Sequence, residues 1–189
     1  VDLKQFTPGD RSFLDRYPRP IFLYVGRLAV EKSIEDFLKC DLPGTKLIVG
    51  DGPQRAELEE RFKDAVFVGP KFGDELTKYY QGADVFVFPS RTDTFGLVNV
   101  EALACGVPVA AYPVRGPLEI LDGAPAGCGA MNEDLRQACL DAYQRSDPAA
   151  CRKWAERFSW EAASRQFIAN LEMPGFDEEF WLKSAKMID

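Results

Sequence analysis

The chain has 189 residues, of which 46% are hydrophobic and 28% charged, and its formal net charge is −7. This length suffices for one domain with a sizeable core, and the composition is ordinary for a globular protein. The negative charge disfavours binding of nucleic acid or anionic lipid over the whole surface. The sequence shows no apolar run long enough for a transmembrane segment and no signal-peptide pattern at its start. We therefore expect no nucleic-acid partner and no transmembrane segment.

The cysteine and histidine contents exclude further classes of catalytic and metal site. The five cysteines are odd in number and form no Cys-x-x-Cys pair, and the sequence contains no histidine. Such cysteines are typical of reduced, mostly buried thiols in a cytoplasmic protein. The lack of histidine removes the commonest general base, the Ser-His and Cys-His nucleophiles and most transition-metal sites. We predict no metal site and a cytoplasmic location, with a peripheral contact of the parent protein at the inner face of a membrane left open.

Predicted strands and helices alternate along the chain. The strands are 21–25, 46–49, 65–68, 84–88, 108–111 and 129–131. The helices are 31–39, 54–63, 74–81, 96–105, 133–145 with Asn132 as its cap, 148–158, and one capped by Ser159, with a short turn at 118–121. Nearly continuous apolar strands between helices predict an α/β fold with a doubly wound parallel sheet and helices on both faces.

Glycine, proline and charged residues concentrate where the predicted strands end. They are Gly26-Arg27, Gly50-Asp51-Gly52, Gly69-Pro70-Lys71, Asp93 and Arg115-Gly116-Pro117. Ligands of open parallel sheets bind beyond the carboxyl ends of the strands. The spacing by itself therefore places a ligand site at this edge.

The loop after the fourth predicted strand and the helix that follows it carry two carboxylates, Asp93 and Glu101. The first helical turn offers backbone amides at Gly96 and Leu97 that suit an anion. Gly106 is placed to end this helix. Two acceptors for hydroxyl groups thus flank a cradle for phosphate, which matches the ribose, diphosphate and sugar of a nucleotide-sugar.

The loop after the first predicted strand carries two cations. Gly26 allows a close approach of the backbone to a ligand, and Arg27 and Lys32 could hold a diphosphate from two sides. Lys32 near a helix N-terminus is electrostatically unfavourable, which argues against a purely structural role.

These two stretches resemble the retaining glycosyltransferases of the large GT4 group. The pattern Pro-Ser-x-x-acid-x-Phe-Gly-Leu-x-x-x-Glu-Ala-x-Ala-x-Gly at 89–106 and the pattern Gly-Arg-x-x-x-x-Lys at 26–32 are similar to that group's motifs. The resemblance implies the C-terminal, Rossmann-like half of a GT-B fold with extra C-terminal helices. It also implies that Arg27 and Lys32 hold the leaving diphosphate, that Asp93 contacts the transferred sugar and that Glu101 contacts the ribose. The group generally has Glu where this chain has Asp93.

The resemblance extends to further positions of the donor site. Lys71 follows the third strand, where the group places the base, and a backbone contact is expected there. Phe95 most simply lies in the core beneath its loop. The residues predicted to bind the donor are Gly26, Arg27, Lys32, Lys71, Asp93, Thr94, Phe95, Gly96, Leu97 and Glu101, with Arg27, Lys32 and Asp93 as the catalytic set. The predicted substrate is a UDP- or GDP-linked sugar, and no cofactor is expected.

The ends of the chain suggest that it is part of a larger enzyme. Val1-Asp2 and the segment 6–9 resemble the linker into the second domain of GT4 enzymes, so 1–18 is interpreted as a linker remnant. The acceptor is then expected on a missing N-terminal domain. The segment 159–189 is predicted to contain C-terminal helices, whose Phe176, Phe180 and Trp181 either contact that missing domain or cover this domain's own core.

Two alternatives remain at this point. The first is a nucleotide-binding module without transferase activity, which Asp93 in place of Glu supports. The second is a flavodoxin-like interaction domain, which would explain the alternation of strands and helices but not the clustering of polar residues at the strand ends.

Overall fold

A computed structural model describes residues 1–170 of the chain. These residues form one six-stranded sheet of parallel strands in the order β3-β2-β1-β4-β5-β6. The strands are β1 (Ile21–Val25), β2 (Thr45–Val49), β3 (Ala65–Gly69), β4 (Val85–Phe88), β5 (Val109–Ala111) and β6 (Gly129–Met131). This is the strand order of doubly wound nucleotide-binding folds, whereas a flavodoxin-like sheet has another order. The predicted fold is confirmed, and the flavodoxin-like alternative is wrong.

Helices cover both faces of the sheet. They are α1 (Ile34–Lys39), α2 (Arg55–Arg61), α3 (Gly73–Gly82), α4 (Leu97–Ala104), α5 (Arg115–Leu121), α6 (Leu135–Arg145), α7 (Pro148–Ala155) and α8 (Trp160–Ala169). Consecutive strand residues alternate between two buried clusters: Leu23 and Phe86 belong to one, Phe22 and Val85 to the other. Because the strands are covered on both faces, their sequences are mostly apolar and do not alternate, although β2 begins with Thr45 and Lys46. In residues 1–170 we find no helix that is both long and apolar enough to cross a membrane.

The predicted helix 31–39 is interrupted. Val30–Lys32 forms a 3₁₀ turn, Ser33 adopts a left-handed conformation with φ 51°, and α1 begins only at Ile34. Such a conformation is uncommon outside glycine and asparagine, so the pattern of the sequence gave no indication of it. Lys32 therefore ends a short 3₁₀ turn and does not lie within an α-helix.

Three further boundaries differ from the prediction. The turn expected at 118–121 is the end of a full helix, α5, which begins at Arg115. The cap of α6 is Asp134, whose side chain accepts hydrogen bonds from two backbone amides, and Asn132 instead accepts from the amide of Asp134. Helix α7 ends at Ala155 and continues as a 3₁₀ turn.

Other local predictions are confirmed. Gly106 has φ 80° just after α4, and the Ser159 hydroxyl accepts from the amide of Ala162 at the start of α8. The segment 1–18 packs on the domain, since Phe6 and Leu14 are buried in its core. The contacts expected of Phe176, Phe180 and Trp181 lie outside the described residues.

Candidate functional site

The loops that follow β1 and β4 meet beyond the carboxyl ends of their strands. The Lys32 ammonium lies 2.5 Å from a carboxylate oxygen of Asp93, and the Thr92 hydroxyl donates to the carbonyl of Glu31 at 3.1 Å. Strands β1 and β4 are neighbours, and the chain runs outward from them in opposite directions. This is the topological switch point, where a doubly wound sheet opens a crevice for its ligand. Two residues of the predicted catalytic set, Lys32 and Asp93, are thus in contact there.

The first of these loops is held from below. The Tyr24 hydroxyl donates to the carbonyl of Arg27 at 2.9 Å, and the Leu28 amide donates to the carbonyl of Asp51 at 2.8 Å. Gly50 has φ 143°, and a Cβ atom there would lie 1.9 Å from the carbonyl oxygen of Gly26. Only glycine fits this position, because any side chain would collide with the backbone. The turn after β2 therefore serves to support the loop that carries Arg27.

The second loop ends in an open helix N-terminus. Gly96 precedes α4 with φ 77°, and no side chain in residues 1–170 caps this helix. Within the same residues the amides of Gly96 and Leu97 donate no hydrogen bond. A Cβ atom at Gly116 would lie 2.9 Å from the Asp93 carbonyl oxygen, so the start of α5 supports this loop closely. Unpaired amides at a helix N-terminus attract an anion.

Phe95 packs inward from the same loop. Its ring lies 6.1 Å from that of Phe158, in an edge-on arrangement, and it contacts the core. This fits its interpretation as core beneath the loop, and a direct contact with a ligand is not needed to explain it. Its neighbours Thr94 and Leu97 are exposed at the crevice.

Glu101 lies on the second turn of α4 and is partly buried. Its carboxylate accepts a hydrogen bond from the hydroxyl of Tyr80 at 2.8 Å. Burial raises the pKa of Glu101, while the hydrogen bond from Tyr80 and the Val1 ammonium act in the opposite direction. A partly buried carboxylate with one hydrogen-bond donor is a group whose environment suits a polar ligand.

The remaining predicted cations are not gathered at Asp93. The side chain of Arg27 is 66% exposed and its only carboxylate neighbour in residues 1–170 is Glu31, at 3.6 Å. The Lys71 ammonium pairs with Glu75 at 2.7 Å, and this hydrogen bond raises the pKa of Lys71. Arg27 is therefore available to a ligand at the switch point. Lys71, which follows the edge strand β3, is already paired with Glu75 of the next helix, α3.

Asn99 is a polar residue that the sequence did not single out. It is fully buried on the first turn of α4, and neither polar atom of its side chain has a hydrogen-bond partner within residues 1–170. A Cβ atom at Gly96 would lie 2.7 Å from its amide nitrogen. Unpaired buried amides are costly and rare in native structures. The residue lies directly below the loop that carries Asp93, and only the tertiary structure reveals this.

Residues 19–145 match the sequence profile of one protein family, described as glycosyl transferases group 1. The chain belongs to this family. Among its curated relatives is the sulfoquinovosyl transferase SQD2 of Arabidopsis thaliana, 40% identical over 188 residues, which cover 87% of this chain and 37% of the relative. A GDP-mannose-dependent alpha-mannosyltransferase of Corynebacterium glutamicum is 33% identical over 186 residues, covering 89% and 45% of the two chains.

A solved structure shows the same fold as this glycosyltransferase domain. The sucrose-phosphate synthase of Thermosynechococcus elongatus superposes with a TM-score of 0.69 and 33% identity, over 88% of this chain and 49% of the other. The chain thus spans less than half the length of each of these three proteins.

Proposed function

We propose that this chain is the donor-binding domain of a retaining glycosyltransferase, which moves a hexose from a nucleoside-diphosphate sugar to an acceptor held by an N-terminal domain. The observation that carries the proposal is the contact between Lys32 and Asp93 at the switch point of the sheet. It brings the predicted phosphate-binding and sugar-binding groups into one crevice. The names of the relatives, a sulfoquinovosyl transferase and a GDP-mannose-dependent mannosyltransferase, support a sugar donor of this kind.

The diphosphate is assigned to three groups that surround the crevice. Lys32 and the exposed Arg27 approach from the loop after β1, and the open N-terminus of α4 at Gly96 and Leu97 approaches from the other side. Together they stabilise the negative charge that develops on the departing diphosphate. In this proposal they act without a divalent metal.

Donor binding exchanges the partner of Lys32. Without a ligand, the ammonium of Lys32 pairs with Asp93, and each side chain is only about one quarter exposed, at 27% and 24%. When the diphosphate takes the ammonium, the Asp93 carboxylate becomes available to the sugar hydroxyls. Before the donor binds, Lys32 and Asp93 neutralise each other's charge. When the donor binds, each side chain exchanges this partner for a part of the donor.

The rest of the donor extends along the edge of the sheet. Glu101 accepts a hydrogen bond from the ribose, and the backbone near Lys71, at the end of β3, contacts the base. Since the Lys71 side chain is held by Glu75, the base is contacted through the backbone and not by the ammonium group.

The proposed reaction needs no side-chain general base. The acceptor oxygen forms a bond to the anomeric carbon on the face that the diphosphate leaves, and the bond between that carbon and the diphosphate oxygen breaks. The proton of the acceptor hydroxyl passes to the departing diphosphate. Asp93, held against the sugar, stabilises the positive charge at the anomeric carbon. The configuration at that carbon is retained.

Titration of residues 1–189 with UDP, GDP, ADP and their sugar conjugates, without added metal, tests the proposal. At least one diphosphate binds, and Arg27→Ala and Lys32→Ala each weaken it by about 1–3 kcal/mol, the scale of a charge-assisted hydrogen bond. The bare nucleoside is unaffected. Lys39→Ala, which removes an exposed cation of α1 that pairs with Glu35, is the matched control. Full diphosphate affinity in either variant would refute the assignment of these residues.

Transfer assays separate this function from that of a non-catalytic nucleotide-binding module. Residues 1–189 bind donor but transfer no sugar, because orientation of the acceptor supplies much of the rate. The full-length parent protein transfers sugar from the donor to the acceptor. Acceptor-dependent transfer by residues 1–189 alone would place the acceptor site in this chain, and a parent that binds donor without turnover would favour the non-catalytic module.

A further inference from the structure

Tyr80 is a fully buried residue of α3 whose hydroxyl reaches Glu101 of the proposed donor site. Its ring is fixed by two aromatic neighbours, with Phe6 edge-on at 5.8 Å and Phe86 tilted at 5.7 Å between ring centroids. Its hydroxyl donates to the Oε2 atom of Glu101 at 2.8 Å. A polar atom with a fixed position in the core thus reaches the carboxylate of α4.

Packing alone does not account for this hydroxyl. A phenylalanine would present the same ring to Phe6 and Phe86 and would spare the core a polar atom that is costly to bury unless it is hydrogen-bonded. In residues 1–170 its hydrogen-bond partner is Glu101. The hydroxyl therefore makes a specific connection between the buried part of α3 and the carboxylate of α4.

The connection matters because a glutamate side chain is otherwise free to rotate about three bonds. The hydrogen bond from Tyr80 is the one that the Glu101 carboxylate accepts from a side chain in residues 1–170, and it occupies Oε2. Holding one oxygen removes most of the rotational freedom of the carboxylate. The second oxygen, Oε1, is then left for a ligand with its direction already set, which lowers the entropy cost of binding.

We infer that Tyr80 is a positioning residue of the donor site, which orients the Glu101 carboxylate toward the ribose hydroxyls of the nucleotide. The inference rests on the proposed function, since it assumes that Glu101 binds the ribose. Tyr80 itself touches no ligand in this arrangement and acts only through Glu101.

The test compares each nucleotide with a form that lacks the ribose hydroxyls. Calorimetry measures the dissociation constants of UDP and GDP and of their 2′,3′-dideoxy counterparts. The proteins compared are the unsubstituted chain of residues 1–189, Tyr80→Phe, Glu101→Gln and the double variant. We expect Tyr80→Phe to weaken the ribose-containing nucleotide about fivefold to tenfold and to leave the dideoxy form unchanged. The double variant binds no more weakly than Glu101→Gln, because Tyr80 acts only through that carboxylate.

The matched control is Tyr79→Phe. Tyr79 is the next residue of α3, is also buried, and packs against Phe13 at 5.3 Å. Tyr79→Phe removes a hydroxyl of the same kind that does not contact Glu101. Both nucleotide forms should therefore bind this variant as they bind the unsubstituted chain.

The outcomes distinguish this inference from the proposed function. Equal weakening of both nucleotide forms by Tyr80→Phe would show a purely structural role and overturn the inference. So would a Glu101→Gln variant that loses the preference for the ribose hydroxyls while Tyr80→Phe keeps it, although the ribose role of Glu101 would then stand. A Glu101→Gln variant with an unchanged preference would overturn both.

Discussion

Lys32 and Asp93 are 61 positions apart in the sequence, yet their side-chain charges lie 2.5 Å from each other across the switch point of the sheet. Each is a residue that the sequence assigned to a different part of the donor. A diphosphate that takes Lys32 must break this pair, and a sugar that reaches Asp93 benefits from the break. Removal of the Asp93 charge should therefore have opposite effects on the affinities for a bare nucleoside diphosphate and for its sugar conjugate.

Asp93→Asn separates the two effects. Removing the carboxylate frees Lys32, so the bare nucleoside diphosphate binds up to about fivefold more tightly, the upper value for a partly exposed ion pair. The sugar conjugate loses its charged acceptor, a loss of about 1.5–3 kcal/mol relative to the diphosphate. Calorimetric titrations of both ligands measure the difference. Glu60→Gln, on the exposed side of α2, removes the same charge and serves as the control; parallel changes for the two ligands in Asp93→Asn would refute the divided roles.

Ser33 carries backbone strain beside the site. Its φ of 51° is disfavoured for any residue with a Cβ atom, at a cost of about 1–2 kcal/mol. Ser33→Gly is therefore expected to raise the free energy of unfolding by about 1 kcal/mol after the extra entropy of glycine in the unfolded chain is subtracted. Urea denaturation measures this change in the free energy of unfolding. Ser33→Ala keeps the strain and gives no such gain; a gain as large as that of glycine would show that the hydroxyl, and not the backbone, is the cause.

Asn99 offers a test of the buried amide below the Asp93 loop. Asn99→Leu has the same number of side-chain heavy atoms and removes from the core two polar atoms that have no hydrogen-bond partner in residues 1–170. We expect the free energy of unfolding to rise by about 1–3 kcal/mol, which is the cost of leaving such a group unsatisfied. Asn99→Asp, which buries a charge in the same place, lowers it. Chemical denaturation of the three proteins decides, and a destabilised leucine variant would mean that the amide is paired in solution.

Glu101 links stability to pH. Because burial raises its pKa, the folded state retains the proton at pH values where the unfolded chain has lost it, and stability falls as pH rises through this window. Glu101→Gln removes the buried charge and keeps an acceptor for Tyr80. The variant is therefore more stable than the parent above the folded-state pKa of Glu101, and the difference disappears at pH values below the ordinary pKa of glutamate, about 4.3.

Denaturation of both proteins between pH 4 and pH 8 measures this difference, in which contributions from unchanged groups cancel. The groups near the carboxylate are Tyr80, the Val1 ammonium and the Cys105 thiol. Burial and the charge of Glu101 raise the pKa of Cys105 to about 12. A stability difference that grew toward acid pH would contradict the assigned direction.

The parallel sheet, and the edge of it that carries the site, could be predicted from the sequence. Apolar runs of four or five residues between helices leave a parallel sheet covered on both faces as the stable arrangement. Since the carboxyl ends of parallel strands meet at one edge, spacing alone placed Arg27 and Asp93 on that edge. The resemblance of the motifs identified the family and assigned Glu101 to the site. The proposed roles of these residues and the expected acceptor domain remain predictions.

Which of these groups contact one another could be seen only in the folded structure. The pairing of Lys32 with Asp93, and of Tyr80 with Glu101 across 21 positions, depends on how separate loops and helices pack. No local pattern encodes such contacts, because helical and strand periodicity act over a few residues. The left-handed conformation of Ser33 and the burial of Asn99, whose side chain has no partner within residues 1–170, could not be predicted for the same reason. The surrounding fold imposes a conformation and a burial that these residues would not adopt in a short segment.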